Sequence, residues 1–240
     1  MKTEVRRFPD LSELSKAAAE FITNLINTTL EDKDFFSLVL SGGNTPRRLY
    51  EILAAAPLAD RVPWSRVHLF WGDERCVAQD HPDSNFKMAN ELLISKVALP
   101  QDNVHRIAVE TGPPDEVARA YEQVLKRFFG GGSPNFDLVL LGMGKDGHTA
   151  SLFPKDSVLL EQVKNVAAVY PTAASVAVPR ITITFPAINR AACAMFLVSG
   201  KDKHAVFKAI IGRADRAGPT YPAALVEPRE KLIWFVEDFD

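Results

Sequence analysis

The sequence predicts a three-layer α/β/α fold with a Rossmann-like, mostly parallel central sheet. Two observations support this prediction: short apolar runs alternate with longer helical patterns, and most of the runs are apolar at every position. A continuous apolar run is typical of a strand buried on both faces, whereas a half-exposed strand alternates apolar and polar residues. Strands that alternate with helices along a chain are typical of a parallel sheet covered by helices.

The elements follow from these two patterns. Strands are predicted for the apolar runs Phe36–Leu40, Val67–Trp71, Phe136–Leu141, Asn165–Tyr170, Ala192–Val198 and Lys231–Val236. Helices are predicted for the segments between them, Leu11–Thr28, Pro46–Ala55, Asn85–Val97, Pro114–Phe128 and Asp202–Ile211. The glycine-rich stretch Phe129–Pro134 is short and a strand follows it at once, which favours a loop over a domain boundary. Residues 1–240 are therefore predicted to form a single α/β domain.

Composition narrows the class of protein. The chain has 240 residues, 47% of them hydrophobic, and a formal net charge of -2. Such balanced charge argues against nucleic acid or an anionic membrane as the main partner. No secretory signal peptide is visible, and no apolar run reaches the ~20 residues that a membrane helix needs. The two cysteines, Cys76 and Cys193, lack metal-ligand spacing. These features predict a cytoplasmic protein with two free thiols.

In parallel α/β sheets, ligands bind beyond the carboxyl ends of the strands. The first such segment is "SGGNTPRRLYEIL", which starts at Ser41. Gly42 and Gly43 allow a sharp turn close to a ligand, Thr45 is predicted to cap the next helix, and Pro46 suits its first position. The helix N-terminus would then attract an anion, most naturally phosphate. A plain strand-to-helix turn stays open as the alternative, and the segment is not a P-loop.

The second strand exit is "WGDERCVAQDHPDSNF", in which Gly72 again permits close approach to a ligand. Asp73 and Arg75 lie at the strand end. Arg75 could bind a phosphate or carboxylate, or it could be paired with Asp73. A solvated loop is the alternative for these charges. Ser84 and Asn85 are predicted to start the following helix.

The third exit is "GMGKDGHTASLFP", from Gly142 to Pro154, and it is the most informative segment. Two glycines form a tight turn, after which Asp146 and His148 project at the mouth of the sheet. Asp146 could accept a proton from one ring nitrogen of His148, which would leave the other nitrogen free to act as a base. Ser151 as an acyl nucleophile is the rival, but no Gly-x-Ser-x-Gly elbow surrounds it.

Other histidines carry less information. His68 lies in a strand pattern, His81 and His105 are predicted to lie in polar loops, and His204 starts a helix. No pair has metal-ligand spacing, so no zinc site is expected. Two cations do suggest a ligand: Arg180 precedes the alternating segment "ITITF", and Lys203 follows the strand ending "FLVSG". Together with the Ser41 loop they would form a phosphate clamp.

The three exits together resemble the 6-phosphogluconolactonase family of the glucosamine/galactosamine-6-phosphate isomerase superfamily. The motifs "LSGGNTP", "WGDERCV…DSN" and "GMGKDGHTASLFP" occur in the family's order, followed by "VPRITITFPAINRA" and "VSGKDKHAVFKAI". The resemblance covers almost the whole chain. It implies hydrolysis of 6-phospho-D-glucono-1,5-lactone in the oxidative pentose phosphate pathway, one α/β/α domain and no cofactor. The partner would be this small sugar-phosphate lactone; the sequence leaves the oligomeric state open and is compatible with a monomer.

The resemblance also implies roles for individual residues. His148 would be the general base, Asp146 would support it, and Arg75 would hold substrate near the reacting carbon. The residues implied to bind the substrate or its phosphate are Ser41, Gly42, Gly43, Thr45, Asp73, Arg180 and Lys203. His204 departs from the pattern, because a small residue is expected after the lysine.

Two other functions remain as alternatives. Glucosamine-6-phosphate deaminase resembles this chain as a distant relative, but its chemistry needs an acidic residue where this sequence has Phe153. A sugar-phosphate sensor without catalysis would need the Ser41 loop and would have no use for Asp146 and His148. Both points favour the lactonase.

Overall fold

The structure, a computed structural model, describes residues 2–171, 178–212 and 221–238. The strands within these ranges are β1 (Lys2–Phe8), β2 (Phe36–Leu40), β3 (Val67–Trp71), β4 (Asp73–Arg75), β5 (Val104–His105), β6 (Leu138–Gly142), β7 (Val166–Val169), β8 (Arg180–Ile183), β9 (Cys193–Val198) and β10 (Lys231–Glu237). The helices are α1 (Leu11–Asp32), α2 (Thr45–Leu53), α3 (Leu58–Arg61), α4 (Asn85–Leu92), α5 (Pro114–Phe128), α6 (Phe185–Asn189) and α7 (His204–Ile211).

The central sheet confirms the predicted three-layer α/β/α class. Among the described residues it has the strand order β1-β10-β9-β6-β2-β3-β5, and every neighbouring pair is parallel. Strands β2 and β9 are buried at every position, as expected for the middle layer of three. The chain leaves β2 toward β3 on one side, whereas β6 leads to β9 on the other. This reversal between β2 and β6 is the topological switch point at which such sheets bind ligands.

A second, smaller sheet corrects one prediction. The run Asn165–Tyr170 does contain a strand, β7, but this strand does not join the parallel sheet. It pairs antiparallel with β8, and β8 pairs antiparallel with β4, the short strand directly after Gly72. The alternation in "ITITF" is therefore that of a strand, β8. This sheet places Arg180 directly opposite Arg75.

Several element boundaries differ from the predictions for physical reasons. Strand β1 was not predicted, because it is an edge strand whose charged residues interrupt the apolar pattern. Helix α4 ends at Leu92 and is followed by a 3₁₀ turn at Ile94–Lys96. Another 3₁₀ turn, Lys201–Lys203, precedes α7. None of the described helices combines the length and the apolar character needed to cross a lipid bilayer.

Two histidines pair at the β5 edge of the central sheet, remote from the switch point. His68 Nδ1 lies 3.0 Å from His105 Nε2, and the two rings are within 17° of parallel. The interpretation of His105 as a loop residue is corrected, because it lies in β5 against the ring of Phe70. Burial lowers the pKa of both histidines, that of His105 to about 4, where the charge of His68 adds to the effect.

The histidine pair predicts a loss of stability in acid. An unfolded histidine takes up a proton near pH 6.5, whereas His105 in the folded protein does so near pH 4. The unfolded state therefore binds more protons as pH falls through this window, and the free energy of unfolding decreases. We expect His105→Phe to reduce the loss of unfolding free energy between pH 7 and pH 5 by about 1 kcal/mol, measured by urea unfolding. Over this window the full pKa difference corresponds to about 2 kcal/mol, and solvent screening of the partly exposed ring halves it. The exposed-loop control His81→Gln should behave like the wild type, and an unchanged loss in His105→Phe would contradict the assignment.

Candidate active site

The three glycine-containing strand exits meet at one cleft beside the switch point. Its volume is about 210 Å³. The cleft is lined by Ser41, Gly42, Gly43, Asn44, Thr45, Pro46, Asp73, Arg75, Gly142, Met143, Gly144, His148, Ala150, Arg180 and Lys203. Every site residue predicted from the sequence is in this set except Asp146, which contacts His148 from outside the lining.

The first exit forms a loop whose backbone is hydrogen-bonded to a tyrosine of α2. The buried hydroxyl of Tyr50 donates to Ser41 O at 2.7 Å and accepts from Ser41 N at 3.0 Å. Gly43 has a φ of 89°, a conformation that glycine adopts without strain. The prediction that Thr45 caps α2 is wrong. Asn44 is the N-cap residue, without a side-chain cap bond, and Thr45 begins the helix.

The second exit places a buried carboxylate between several donors. Asp73 Oδ2 accepts from Ser151 Oγ at 2.6 Å, and Asp73 Oδ1 accepts from Asn85 Nδ2 at 3.2 Å. The closest approach of Arg180 is 3.9 Å, from its NH1 to Asp73 Oδ2. Arg75 is not paired with Asp73; its NH1 donates to the carbonyl oxygen of Asp83 at 2.6 Å.

The third exit builds a carboxylate–imidazole pair. His148 Nδ1 lies 2.6 Å from Asp146 Oδ1, and the same oxygen accepts from His148 N at 3.2 Å. Both side chains fold over Gly144, where an added Cβ would lie 2.2 Å from the His148 ring. Any larger residue at position 144 would displace the imidazole.

The electrostatics of this pair favour one tautomer. Partial burial raises the pKa of Asp146, but the charge and hydrogen bonds of His148 outweigh that effect, so the net shift is downward. An ionised Asp146 accepts the proton on Nδ1, and the Nε2 lone pair is then available in the neutral ring. The imidazole is about one-third exposed, as a base that meets solvent must be.

The ring of Phe153 lies near both the imidazole of His148 and the guanidinium of Arg180. The Phe153 ring centroid lies 4.8 Å from that of His148 and 5.8 Å from the guanidinium carbon of Arg180. Phe153 therefore occupies the position at which the chemistry of a glucosamine-6-phosphate deaminase would need an acidic residue. Its ring face is a favourable neighbour for a cation and neither accepts nor donates a proton.

The cations of the cleft are incompletely paired. Arg75 and Arg180 each have a buried Nε without a hydrogen-bond partner among the described residues. Burial lowers the pKa of Arg180, and the Asp73 carboxylate opposes that shift. Burial also lowers the pKa of Lys203, which has no carboxylate within 4.0 Å in the described ranges. An anion in the cleft would stabilise all three.

The structure also bears on Ser151 and on metals. Ser151 is fully buried and its hydroxyl is hydrogen-bonded to Asp73, so it is not exposed to attack a substrate in the cleft.

In the described parts of the chain, no three His, Cys, Asp or Glu side chains come together as a metal site would require.

Sequence reasoning missed three residues that shape the cleft. Tyr50 holds Ser41, Asn85 binds Asp73, and Ala150 lines the cleft with a φ of 48°. A tyrosine five residues into a helix and an asparagine at a helix start carry no local sign of these roles. The available signal for Asn85 was the segment "DSN", which is part of the second motif of the family resemblance.

Comparison with known proteins agrees with this arrangement. Residues 9–234 match the family model of glucosamine-6-phosphate isomerases/6-phosphogluconolactonase. A 6-phosphogluconolactonase from Synechocystis is 40% identical, with 93% of this chain and 91% of the relative covered. One from Nostoc is 38% identical, with 99% and 96% covered.

A solved structure extends the match to three dimensions. The crystal structure of a 6-phosphogluconolactonase from Thermotoga maritima is 34% identical and superimposes with a TM-score of 0.85. The alignment covers 99% of this chain and 100% of that one. The resemblance seen in the sequence motifs is thereby confirmed, and the chain belongs to the enzyme family of glucosamine-6-phosphate isomerases and 6-phosphogluconolactonases.

Proposed function

We propose that this enzyme hydrolyses 6-phospho-D-glucono-1,5-lactone to 6-phospho-D-gluconate, using His148 to activate water. The observation that carries the proposal is the 2.6 Å contact between His148 Nδ1 and Asp146 Oδ1 at a cleft with incompletely paired cations. The names of the relatives in cyanobacteria and Thermotoga support the same substrate. A cytoplasmic location would suit this reaction, which belongs to carbohydrate metabolism.

The phosphate is proposed to lie between the Ser41 loop and the cations. Gly42 and Gly43 bring main-chain N–H groups to the cleft, and α2 directs its N-terminus toward it. Arg180 and Lys203 would complete the clamp with charge-assisted hydrogen bonds. Asp73 would repel a phosphate, so we assign it to holding Arg180 and to accepting from a sugar hydroxyl.

At the lactone end, the reaction needs a base and then an acid. Nε2 of His148 takes a proton from water as the water oxygen bonds to C1, and a tetrahedral oxyanion forms. The bond between C1 and the ring oxygen then breaks, and the ring oxygen takes the proton from the imidazolium. Asp146 stabilises the imidazolium in between, because it stays ionised. The product is a carboxylic acid that ionises in water.

The oxyanion requires a donor near the reacting carbon. Arg75 lines the cleft and has a buried Nε without a partner among the described residues. A preorganised donor of this kind contributes on the order of 10²–10³ to a rate. Phosphate binding far from C1 would supply the energy that holds the ring for attack.

Phe153 favours the lactonase over the deaminase. Ring opening of an amino sugar would need an acid beside the histidine, and the Phe153 ring occupies that place 4.8 Å from His148. Direct attack of water on an ester carbonyl needs no such acid. The sensor alternative leaves the Asp146–His148 pair without a purpose.

A coupled assay tests the proposal. The phosphorylated lactone is generated enzymatically, this protein is added, and release of 6-phosphogluconate is followed after subtraction of spontaneous ring opening. We expect acceleration that is proportional to enzyme concentration. Ammonia release from glucosamine 6-phosphate without lactone hydrolysis would establish the deaminase instead, and ligand binding without any turnover would establish the sensor.

The histidine assignment predicts a selective loss of kcat. His148→Ala should lower kcat by about 10²–10⁴-fold, because general base catalysis contributes that much, while KM stays within about threefold. His81→Ala is the matched control, since His81 is exposed and contacts only its own loop. Wild-type kcat in His148→Ala would refute the assignment.

The two cations of the proposed phosphate clamp should affect KM more than kcat, which is the reverse of the effect expected for His148. Arg180→Ala and Lys203→Ala should each raise KM by about 10- to 100-fold, the value of a hydrogen bond to a charged group, with a smaller change in kcat. Lys201→Ala removes the same charge from the same 3₁₀ turn without touching the cleft, and it should leave KM unchanged. A fall in kcat at constant KM would place these cations at the reacting carbon.

A further inference from the structure

Asn85 joins the first two strand exits through its side-chain amide. It is the first residue of α4 and is almost completely buried. Nδ2 donates to the main-chain oxygen of Asp73 at 2.8 Å and to Asp73 Oδ1 at 3.2 Å. The amide therefore fixes both the backbone and the carboxylate of this residue.

The other side of the same amide touches the Ser41 loop at Gly42. A Cβ built on Gly42 would lie 2.0 Å from Asn85 Oδ1 and 2.5 Å from Nδ2. Glycine is thus the residue that lets the loop backbone rest on the amide. The Asn85 side chain is therefore a direct link between this loop and Asp73.

Asn85 is itself held by a buried carboxylate. Glu74 accepts from the main-chain N–H of Asn85 at 2.8 Å, from that of Phe86 at 2.7 Å and from that of Arg75 at 2.8 Å. The hydroxyl of Ser84 donates to the same carboxylate at 3.2 Å. These bonds fix the helix start through its backbone, so they persist when only the side chain of residue 85 changes.

We infer that Asn85 is a positioning residue for anion binding. It aligns the Gly42 backbone on one side and, through Asp73, the guanidinium of Arg180 on the other, 3.9 Å from Asp73 Oδ2. Asn85 does not line the cleft, so it acts through these neighbours. The inference rests on the proposed function, in which the loop and Arg180 hold the substrate phosphate.

Two substitutions test the inference, with inorganic phosphate as the probe. Asn85→Ala removes the donor and the surface under Gly42; Asn85→Asp keeps the shape but loses the donor and adds a charge beside Asp73. We expect each to weaken phosphate binding by about tenfold in calorimetry and to raise KM for the lactone equally, with kcat within about threefold. Phosphate binding at wild-type strength in either variant would overturn the inference.

Ser84→Ala separates positioning from helix stability. Ser84 is the N-cap of α4. Its Oγ accepts from Lys87 N at 3.1 Å and donates to Glu74 at 3.2 Å, and neither of these bonds involves Gly42 or Asp73. Its removal should lower Tm with no effect on phosphate affinity. If Ser84→Ala weakened phosphate binding as much as Asn85→Ala, helix stability alone would explain the result and the inference would fail.

A double-mutant cycle tests the contact directly. Gly42→Ala should weaken phosphate binding severely in the wild type, because the new methyl group meets the amide. In the Asn85→Ala background the amide is gone and the methyl group has space. The loss of phosphate affinity caused by Gly42→Ala should therefore be at least fivefold smaller there than in the wild type. Additive effects would overturn the proposed contact. Because phosphate binding is measured without turnover, absence of lactone hydrolysis would count against the proposed function alone.

Discussion

The site depends on one topological constraint: two adjacent parallel strands send the chain in opposite lateral directions. The chain turns from β2 toward β3, and from β6 toward β9, so no crossover covers the gap between their carboxyl ends. Gly142 lies beside Ser41 there, with space for a Cβ 3.7 Å from its hydroxyl. Both loops therefore open onto a common crevice, and neither could form the cleft alone.

The small antiparallel sheet contributes two cations to the lining of the cleft, Arg75 and Arg180. Strand β8 pairs with β4, and the register sets Arg180 against Arg75 although they are far apart in sequence. Arg75 disfavours the charged form of Arg180 and lowers its pKa, but the Asp73 carboxylate, 3.9 Å from Arg180, has the larger and opposite effect. The largest unfavourable effect on the Arg180 charge is burial, which an anion bound beside it would offset. Preorganisation of this kind avoids reordering the side chains when substrate binds.

Sequence patterns predicted the parts of the fold that are dictated by burial. The central strands are apolar throughout because helices cover both faces, and the predicted run Phe36–Leu40 is observed without change. Strands β4 and β5 escaped notice because two or three residues carry no pattern. The presence of a strand at Val166–Val169 could be predicted, but its sheet could not, because partner choice depends on contacts between distant segments.

The same limit applies to the site. Glycines after strands and the Asp146–His148 spacing are local signals, so the cleft-lining loops could be found in the sequence. The Thr45 cap was wrong because the turn is one residue tighter than its composition suggests, with Asn44 at the cap. The tyrosine beneath the loop and the asparagine between the exits act across the fold, and no local pattern marks them. The chemical roles assigned to these residues remain predictions.

The position of Phe153 restricts how this active site could evolve. An acidic side chain there would stand beside the imidazole, but it would also come within reach of Arg180, whose guanidinium carbon is 5.8 Å from the ring centroid. Under the proposed function, in which Arg180 holds the phosphate, the new carboxylate would compete with substrate for that cation. A descendant could therefore gain amino-sugar chemistry at this position only by recruiting a replacement anchor, which makes a single-step conversion between the two activities unfavourable.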